Sequence, residues 1–293
     1  MYKSLNDHLK ERFGTKVYKI ALSSGCTCPN RDGTVGVGGC IFCTDTGSGD
    51  FAQAAELPID EQLRLAKEKI ASKNKGGKYI AYFQSFTNTY GSVEALEPKF
   101  MEALADEEVV ALSVATRPDC LPEDILAMLA RLNTIKPVWV ELGLQTIHPR
   151  SVEYIRRGYA LEIYDQAVKD LHAIGVEVIT HVILGLPGET KADMLETVQY
   201  VVDSKAEGIK LQLLHVIEGT DLAKDYRQGM FSALSMDAYI EIIRDCVALI
   251  PESMVIHRLT GDGNKKTLLA PLWSSDKKKV LNALNQILKN VDA

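Results

Sequence analysis

Short runs of apolar and β-branched residues recur along the chain, separated by stretches in which apolar residues return every three or four positions. The first pattern predicts buried strands, and the second predicts helices that pack one face on a sheet. Seven strands are predicted, near Val17–Leu22, Tyr79–Phe83, Ala111–Ala115, Val138–Leu142, Val176–Leu184, Ile209–Val216 and Met254–His257.

Two of the helical stretches also carry end signals. The stretch Leu161–Ile174 has one apolar face, and Gly175 stands where a C-terminal stop belongs. Thr190 is a candidate N-cap, and Asp193 stands three residues later as in a capping box.

Strands that alternate with helices predict right-handed βαβ units and a parallel sheet. Six to eight such units close wholly or partly into a barrel, with the chemistry at the C-terminal ends of the strands. From about Thr260 a GDGNKK loop and a basic amphipathic helix follow. We therefore expect a core barrel over residues 1–259 and a C-terminal capping segment over residues 260–293.

Composition narrows the class of protein. The 293 residues are 46% hydrophobic and 25% charged, as in an ordinary globular protein. A net charge of −6 gives no overall basic surface, so any contact with nucleic acid must use a local patch. The first residues lack the apolar core of a signal peptide, and no apolar run is long enough to span a bilayer. A cytoplasmic protein is expected.

Four of the six cysteines lie within eighteen residues, which favours metal binding over a disulfide scaffold. Cys40 and Cys43 form a C-x-x-C pair, and Cys28 precedes them across a glycine-rich loop. Three thiolates suit zinc or an iron–sulfur cluster. Zinc needs a fourth ligand, for which Cys26 is a candidate, although C-x-C before a long gap is an uncommon zinc-finger spacing. A [4Fe–4S] cluster on three cysteines instead leaves one iron open to chelate S-adenosylmethionine, with Phe42 placed to pack on its adenine.

The segment CPNRDGT…GGCIFC, after a strand and before βα units, resembles the radical SAM superfamily. More narrowly it resembles the YhcC/YtqA-type branch, which is related to the radical SAM core of the elongator acetyltransferase. The motifs YFQSFTNTYG, TRPDC, ELGLQT, HVILGLPGET and HRLTGDG extend this resemblance over nearly the whole chain. It implies an α/β fold, a partial (β/α)6 TIM-like barrel with a C-terminal cap. It also implies a cluster on Cys28, Cys40 and Cys43, and a reaction that begins with a 5′-deoxyadenosyl radical.

The same motifs supply candidate residues for binding S-adenosylmethionine and substrate. Members of the superfamily bind the methionyl amino group after the second strand, and an arginine after the third strand could pair with a carboxylate. Buried polar strand ends also cap helices or pair with each other, and a buried histidine is as often a core residue as a ligand. The cofactor candidates are Phe42, Gln84, Ser85, Thr116, Arg117, Glu141, Gln145, Ile183 and Gly185. The substrate candidates are Asn88, Tyr90, His181, His215 and Arg258.

Some members of this branch convert the 5-carboxymethylaminomethyl group of the tRNA wobble uridine to 5-aminomethyl. The resemblance therefore implies a tRNA substrate and an electron donor of the flavodoxin or ferredoxin type. Tyr90 and Trp273 are candidates for stacking on a splayed base. Local basic sets could hold a phosphate backbone or could be ordinary solvated surface; they are Arg156–Arg157, Arg258, Lys265–Lys266 and Lys277–Lys279. Two alternatives stay open: a radical SAM enzyme for a small metabolite, and a non-catalytic metal-binding module.

Overall fold

A computed structural model describes residues 2–45, 47, 52–74, 76–261 and 263–289. Seven parallel strands form one curled sheet in the order β1-β2-β3-β4-β5-β6-β8, so the predicted α/β partial barrel is confirmed. The strands are β1 (Val17–Leu22), β2 (Lys78–Phe83), β3 (Val109–Thr116), β4 (Val138–Gln145), β5 (Glu177–Leu184), β6 (Gly208–Leu213), β7 (Val216–Ile217), β8 (Val255–Arg258) and β9 (Leu268–Ala270). The helices are α1 (Leu5–Phe13), α2 (Ile59–Ile70), α3 (Val93–Ala105), α4 (Glu123–Asn133), α5 (Pro149–Tyr154), α6 (Leu161–Ala173), α7 (Lys191–Asp203), α8 (Asp221–Arg227), α9 (Met236–Leu249) and α10 (Lys277–Lys289).

Side-chain N-caps begin four of the described helices: α1, α7, α8 and α9. The α7 capping box is present, because the Thr190 hydroxyl accepts from the Asp193 amide and the Asp193 carboxylate accepts from the Thr190 amide. The predicted strand Ile209–Val216 divides at its end: β6 stops at Leu213, and Val216 belongs to β7, which pairs antiparallel with β9. After Thr260 the chain forms β9 and α10, which packs on α9; Asp262 and residues 290–293 lie outside the described residues.

Successive side chains of each strand point to opposite faces of the sheet, and the two faces differ in kind. On the outer face of β4, Val138, Val140 and Leu142 join the main core under the helices. The inner face begins, at its N-terminal end, with an apolar cluster that α1 closes through Leu9; its strand members are Val17, Ile80, Ala111, Trp139 and Ile179.

One step further along the strands, the inner face becomes polar. We call the residues there the charged tier; they are Lys19, Tyr82, Ser113, Glu141, His181 and Lys210. The next inner positions, which face the open end of the barrel, include Gln84, Ala115, Gly143, Ile183 and Gln212. The strand period therefore sets the vertical order of the barrel interior, from apolar base to charged floor to open mouth.

Gly185 ends β5 with φ +91°, and a Cβ built on it would lie 2.8 Å from Leu234 Cδ1. We expect Gly185→Ala to lower the free energy of unfolding by up to about 1 kcal/mol more than Gly175→Ala, because only the first adds a steric clash, with the end of the Leu234 side chain, to the backbone strain. Gly175 is the matched control, since it has φ +71° and a Cβ added there would meet nothing within 4 Å. Urea unfolding of both variants measures the difference; equal losses would contradict the packing role.

Candidate active site

A cavity of about 280 Å³ opens at the C-terminal ends of the strands. The inner face of the sheet forms its floor and sides, and the loop after β1 forms part of its rim. Most of the residues expected from sequence to bind cofactor or substrate line it: Cys28, Cys40, Phe42, Cys43, Gln84, Thr116, Arg117, Glu141, Gln145, His181, Ile183, His215 and Arg258. Ser85, Asn88, Tyr90 and Gly185 lie outside this lining.

Cys28, Cys40 and Cys43 all lie at this rim. The Cys43 amide donates to the Cys40 carbonyl at 2.9 Å, so the C-x-x-C segment turns and brings its two thiols together. A hydrogen bond from the Cys43 thiol, helped by the charge of Arg117, lowers the pKa of Cys40 to about 7 despite its burial. Three convergent thiols with a cation beside them fit a cluster that is bound by thiolates.

Asn30 fixes the shape of the cysteine loop. Its side chain is buried, and its amide donates to the Arg156 carbonyl at 2.5 Å and to Cys40 Sγ at 3.4 Å. A Cβ on Gly36 would lie 2.4 Å from Asn30 Oδ1, so only glycine fits at that position. The glycines of this loop therefore allow close backbone packing around a buried asparagine.

Cys26 faces away from the cavity. It packs against the main core under the helices, and burial raises the pKa of its thiol. It is absent from the described cavity lining, so this structure gives no support to Cys26 as the fourth ligand of a zinc site.

The floor of the cavity is an ionic cluster around Glu141, whose side chain is completely buried. One carboxylate oxygen accepts from Lys19 Nζ at 2.5 Å and from the Ser113 hydroxyl at 2.7 Å. The other accepts from Lys210 Nζ and from His181 Nε2 at 2.7 Å. The charged partners of Glu141 are therefore two lysines inside the barrel. The sequence had led us to expect a cofactor group or an arginine as its partner.

The charges of this cluster follow from burial and pairing. Burial alone would raise the pKa of Glu141, but the Lys19 and Lys210 charges hold it well below its usual range. Burial lowers the pKa of His181 to about 4, so the ring is neutral and donates its Nε2 proton to Glu141. Burial also lowers the pKa of Lys210 to about 7, although Glu141 opposes that shift.

Sequence reasoning missed Lys19, Lys210 and Tyr82 as site residues. A signal existed: each lysine stands between apolar residues inside a predicted buried strand, where an ammonium requires a partner. The strand period would have placed them on the same face as Glu141, but not in contact with it.

The backbone is strained where β2 and β4 meet the cavity. Ser85, Phe86 and Gln145 have φ of +79°, +54° and +70°, which side-chain-bearing residues adopt rarely. Gln145 Oε1 is buried and has no hydrogen-bond partner within the described residues. A buried, unpaired acceptor on a cavity wall is typical of a site that a ligand completes.

Another part of the cavity wall is apolar. Phe42 and Ile183 belong to one hydrophobic cluster and supply a surface without polar groups.

Two other polar candidates already have protein partners. The Thr116 hydroxyl lies 2.5 Å from that of Thr89. Arg117 forms a bidentate pair with Asp119 at 2.7 and 2.8 Å, so its carboxylate partner is a neighbouring side chain. Its guanidinium also lies 4.9 Å from the centre of the Tyr159 ring, which places both groups on the cavity wall.

Several substrate candidates have structural roles. Asn88 is completely buried, and its side chain bonds Ser24 and three backbone carbonyls. Tyr90 bonds the Thr34 hydroxyl at 2.9 Å. Trp273 packs beside Tyr239 and donates to a backbone carbonyl, so it is not free to stack on a base.

The remaining histidine candidate, His215, lies on the cavity wall beneath a glycine loop. A Cβ on Gly261 would lie 2.7 Å from its ring, and one on Gly263 would lie 3.0 Å away. Of the basic sets, Arg156 is exposed and pairs with Asp221, Arg157 is buried, and Lys265–Lys266 are exposed. Along the described ranges, no helix combines the length and apolarity needed to cross a membrane.

Sequence profiles match nearly the whole chain: the Radical SAM superfamily over residues 25–201, and the Radical_SAM C-terminal domain over residues 206–290. The chain is similar to YtqA of Bacillus subtilis (47% identity, 99% of this chain, 90% of that protein) and to YhcC of Escherichia coli K12 (36%, 92% and 86%). It is also similar to the tRNA uridine(34) acetyltransferase of Methanocaldococcus jannaschii (29% identity) over 57% of this chain but only 31% of that protein. Among solved structures, Elp3 of Methanocaldococcus infernus shares the fold, with a TM-score of 0.66 at 19% identity over 90% of this chain and 63% of that one.

We expect Glu141→Gln to destabilise the protein by about 3–5 kcal/mol, because it leaves two buried ammonium groups without a carboxylate. Lys210→Met should cost much less, since Glu141 keeps Lys19 as its counter-charge. Urea unfolding at pH 6 compares the two variants, because Lys210 carries its ammonium charge there. A Lys210→Met loss as large as that of Glu141→Gln would show that the charge balance of the cluster does not control its stability.

Proposed function

The chain belongs to the radical SAM superfamily, and on that premise we propose that this enzyme converts the 5-carboxymethylaminomethyl group of the tRNA wobble uridine to 5-aminomethyl. The observation that carries the proposal is the similarity to tRNA uridine(34) acetyltransferases, whose name specifies the same nucleotide. YtqA, which matches along most of the chain, is named only as an uncharacterized protein.

The family's [4Fe–4S] cluster and S-adenosylmethionine supply a 5′-deoxyadenosyl radical. We assign the cluster to Cys28, Cys40 and Cys43, because their thiols share one rim of the cavity and the Cys43 thiol is hydrogen-bonded to that of Cys40. Asn30 and Arg117 stabilise negative charge on Cys40 Sγ, through a hydrogen bond and through charge.

The walls next to the cysteines suit the rest of the cofactor. Phe42 and Ile183 provide an apolar surface for adenine. Gln145 offers an unpaired acceptor to a hydroxyl or an ammonium group, and Gln84 lies on the same lining. A cavity recessed into the barrel limits the access of water to a radical, which protects the reaction from side products.

The conversion is an oxidative removal of a two-carbon arm. The 5′-deoxyadenosyl radical would take a hydrogen atom from the methylene between the amine nitrogen and the carboxylate, and a second electron would pass back to the cluster to give an imine. Water would then split the imine into the 5-aminomethyl group and glyoxylate, with S-adenosylmethionine as the net oxidant. The electron that starts the reaction comes, in this proposal, from a flavodoxin- or ferredoxin-type donor. The exposed sets Lys265–Lys266 and Lys277–Lys279 are the candidates for holding the RNA backbone.

We expect anaerobically reconstituted protein to contain about four irons per chain with matching sulfide, and to form 5′-deoxyadenosine from S-adenosylmethionine with a strong reductant. A triple Cys28/Cys40/Cys43→Ala variant should lose both properties. Cys26→Ala is the matched control and should keep both, because Cys26 packs outside the cavity. Bound zinc in place of iron, or cleavage that is indifferent to the three cysteines, would sink the assignment.

We expect tRNA bearing 5-carboxymethylaminomethyluridine to yield 5-aminomethyluridine, as measured by mass spectrometry of its nucleosides. Binding of this tRNA should weaken steeply with salt, and Lys265/Lys266→Ser should reduce the log–log salt slope by about one per lysine that contacts a phosphate. Lys169→Ser, at an exposed position on α6, is the control for charge alone. Absence of conversion and of salt-dependent binding would favour a small-metabolite substrate instead.

A further inference from the structure

The charged tier does not balance its own charges. It holds two lysines and one carboxylate, and its histidine is neutral. Arg258 lines the same cavity and lowers the pKa of Lys19 and Lys210 through its charge, so it adds positive potential at the same place. Buried positive charge in excess is unfavourable unless an anion compensates it.

The lining of the cavity as a whole shows the same excess. Within the described residues, Glu141 is its one carboxylate, and Asp119 and Asp45, which pair with Arg117 and Arg31 at the rim, lie outside the lining. The two cations at the rim, Arg31 and Arg117, lie near the cysteines, whose thiolates would compensate their charge. For Lys19 and Lys210, the described lining offers no second carboxylate besides Glu141.

Lys210 is placed to bind a second anion. Its side chain is only 5% exposed, and it reaches the cavity from β6. It donates to Glu141 and, at 3.3 Å, to the Tyr82 hydroxyl, whose ring also lies 4.5 Å below the ammonium group. An ammonium group has three donors, so these partners use two of them.

We propose that Lys210 forms an anion subsite on the barrel floor that binds a carboxylate at the end of the substrate's side arm, a role that rests on the function proposed above. The RNA backbone is too large for a cavity of about 280 Å³, whereas one extended side arm fits. The carboxylate of S-adenosylmethionine is the other source of the same chemistry, and binding measurements on Lys210 variants separate the two.

The subsite has a pH signature. The groups that face Lys210 are Glu141 from β4, Lys19 from β1, Tyr82 from β2, His181 from β5, and His257 and Arg258 from β8. Burial lowers the pKa of Lys210 to about 7, and a bound carboxylate raises it again. Below pH 7, Lys210 of the free enzyme is already a charged ammonium group. Above pH 7, Lys210 is mostly neutral, so it must take up a proton when the carboxylate binds. Affinity for the carboxylate should therefore fall, by up to about tenfold per pH unit above 7.

The test uses enzyme loaded with cluster and S-adenosylmethionine, and two nucleoside probes, 5-carboxymethylaminomethyluridine and 5-aminomethyluridine. Equilibrium dialysis at pH 6.5 should show at least about tenfold preference for the probe with the carboxylate, which shrinks at pH 8.5. Lys210→Met should lose the preference and its pH dependence, and Lys210→Arg should retain the preference. Lys169→Met, the same change at an exposed position, should behave as wild type.

Binding of S-adenosylmethionine is measured on each variant, and urea unfolding confirms that Lys210→Met is folded. Loss of S-adenosylmethionine binding in Lys210→Met would assign the subsite to the cofactor and overturn the proposal. No preference in wild type, including no measurable binding, or a preference unchanged in Lys210→Met, would also overturn it. If the enzyme prefers the carboxylate probe but does not convert tRNA, the subsite is supported and the proposed function is wrong. If it converts tRNA but shows no preference, the proposed function is supported and the subsite is wrong.

Discussion

One buried carboxylate connects most of the barrel. Glu141 on β4 accepts from Lys19 on β1, Ser113 on β3, His181 on β5 and Lys210 on β6. A charge with no exposure must be paired and hydrogen-bonded, so these strands are held in one register around it. The floor of the cavity is therefore rigid, and whatever binds above it meets a fixed arrangement of positive charge.

The chemistry is divided between two levels that the strand geometry keeps apart. At the rim, a loop anchored by Asn30 gathers three thiols beside Arg117. At the floor, the charged tier presents the Lys210 ammonium group. Between them lie an apolar wall and the unpaired acceptor of Gln145. In the function proposed above, this order would put the cofactor near the opening and leave the deepest space to the side arm of the substrate.

The candidate residues from the sequence motifs fall into two groups: those whose side chains line the cavity and those whose side chains point elsewhere. Gln84 and Asn88 belong to the same polar motif, but only Gln84 lines the cavity. The Asn88 side chain instead donates hydrogen bonds to backbone carbonyls. Gly185 lies beside Ile183, but its conformation accommodates Leu234 from a distant segment. A motif locates a strand end; it does not say which of its side chains face the cavity.

The sequence by itself determined the alternation of strands and helices, the capping of α7, the cysteine spacing and the family, because each depends on residues close together in the chain or on motifs in a fixed order. It also placed Glu141 on a buried strand and required a partner for it. Only the tertiary structure decided that the partners are Lys19 and Lys210, 122 and 69 residues away, and that Cys26 turns into the core. Such contacts depend on strand stagger and on curvature of the sheet, which no local pattern encodes.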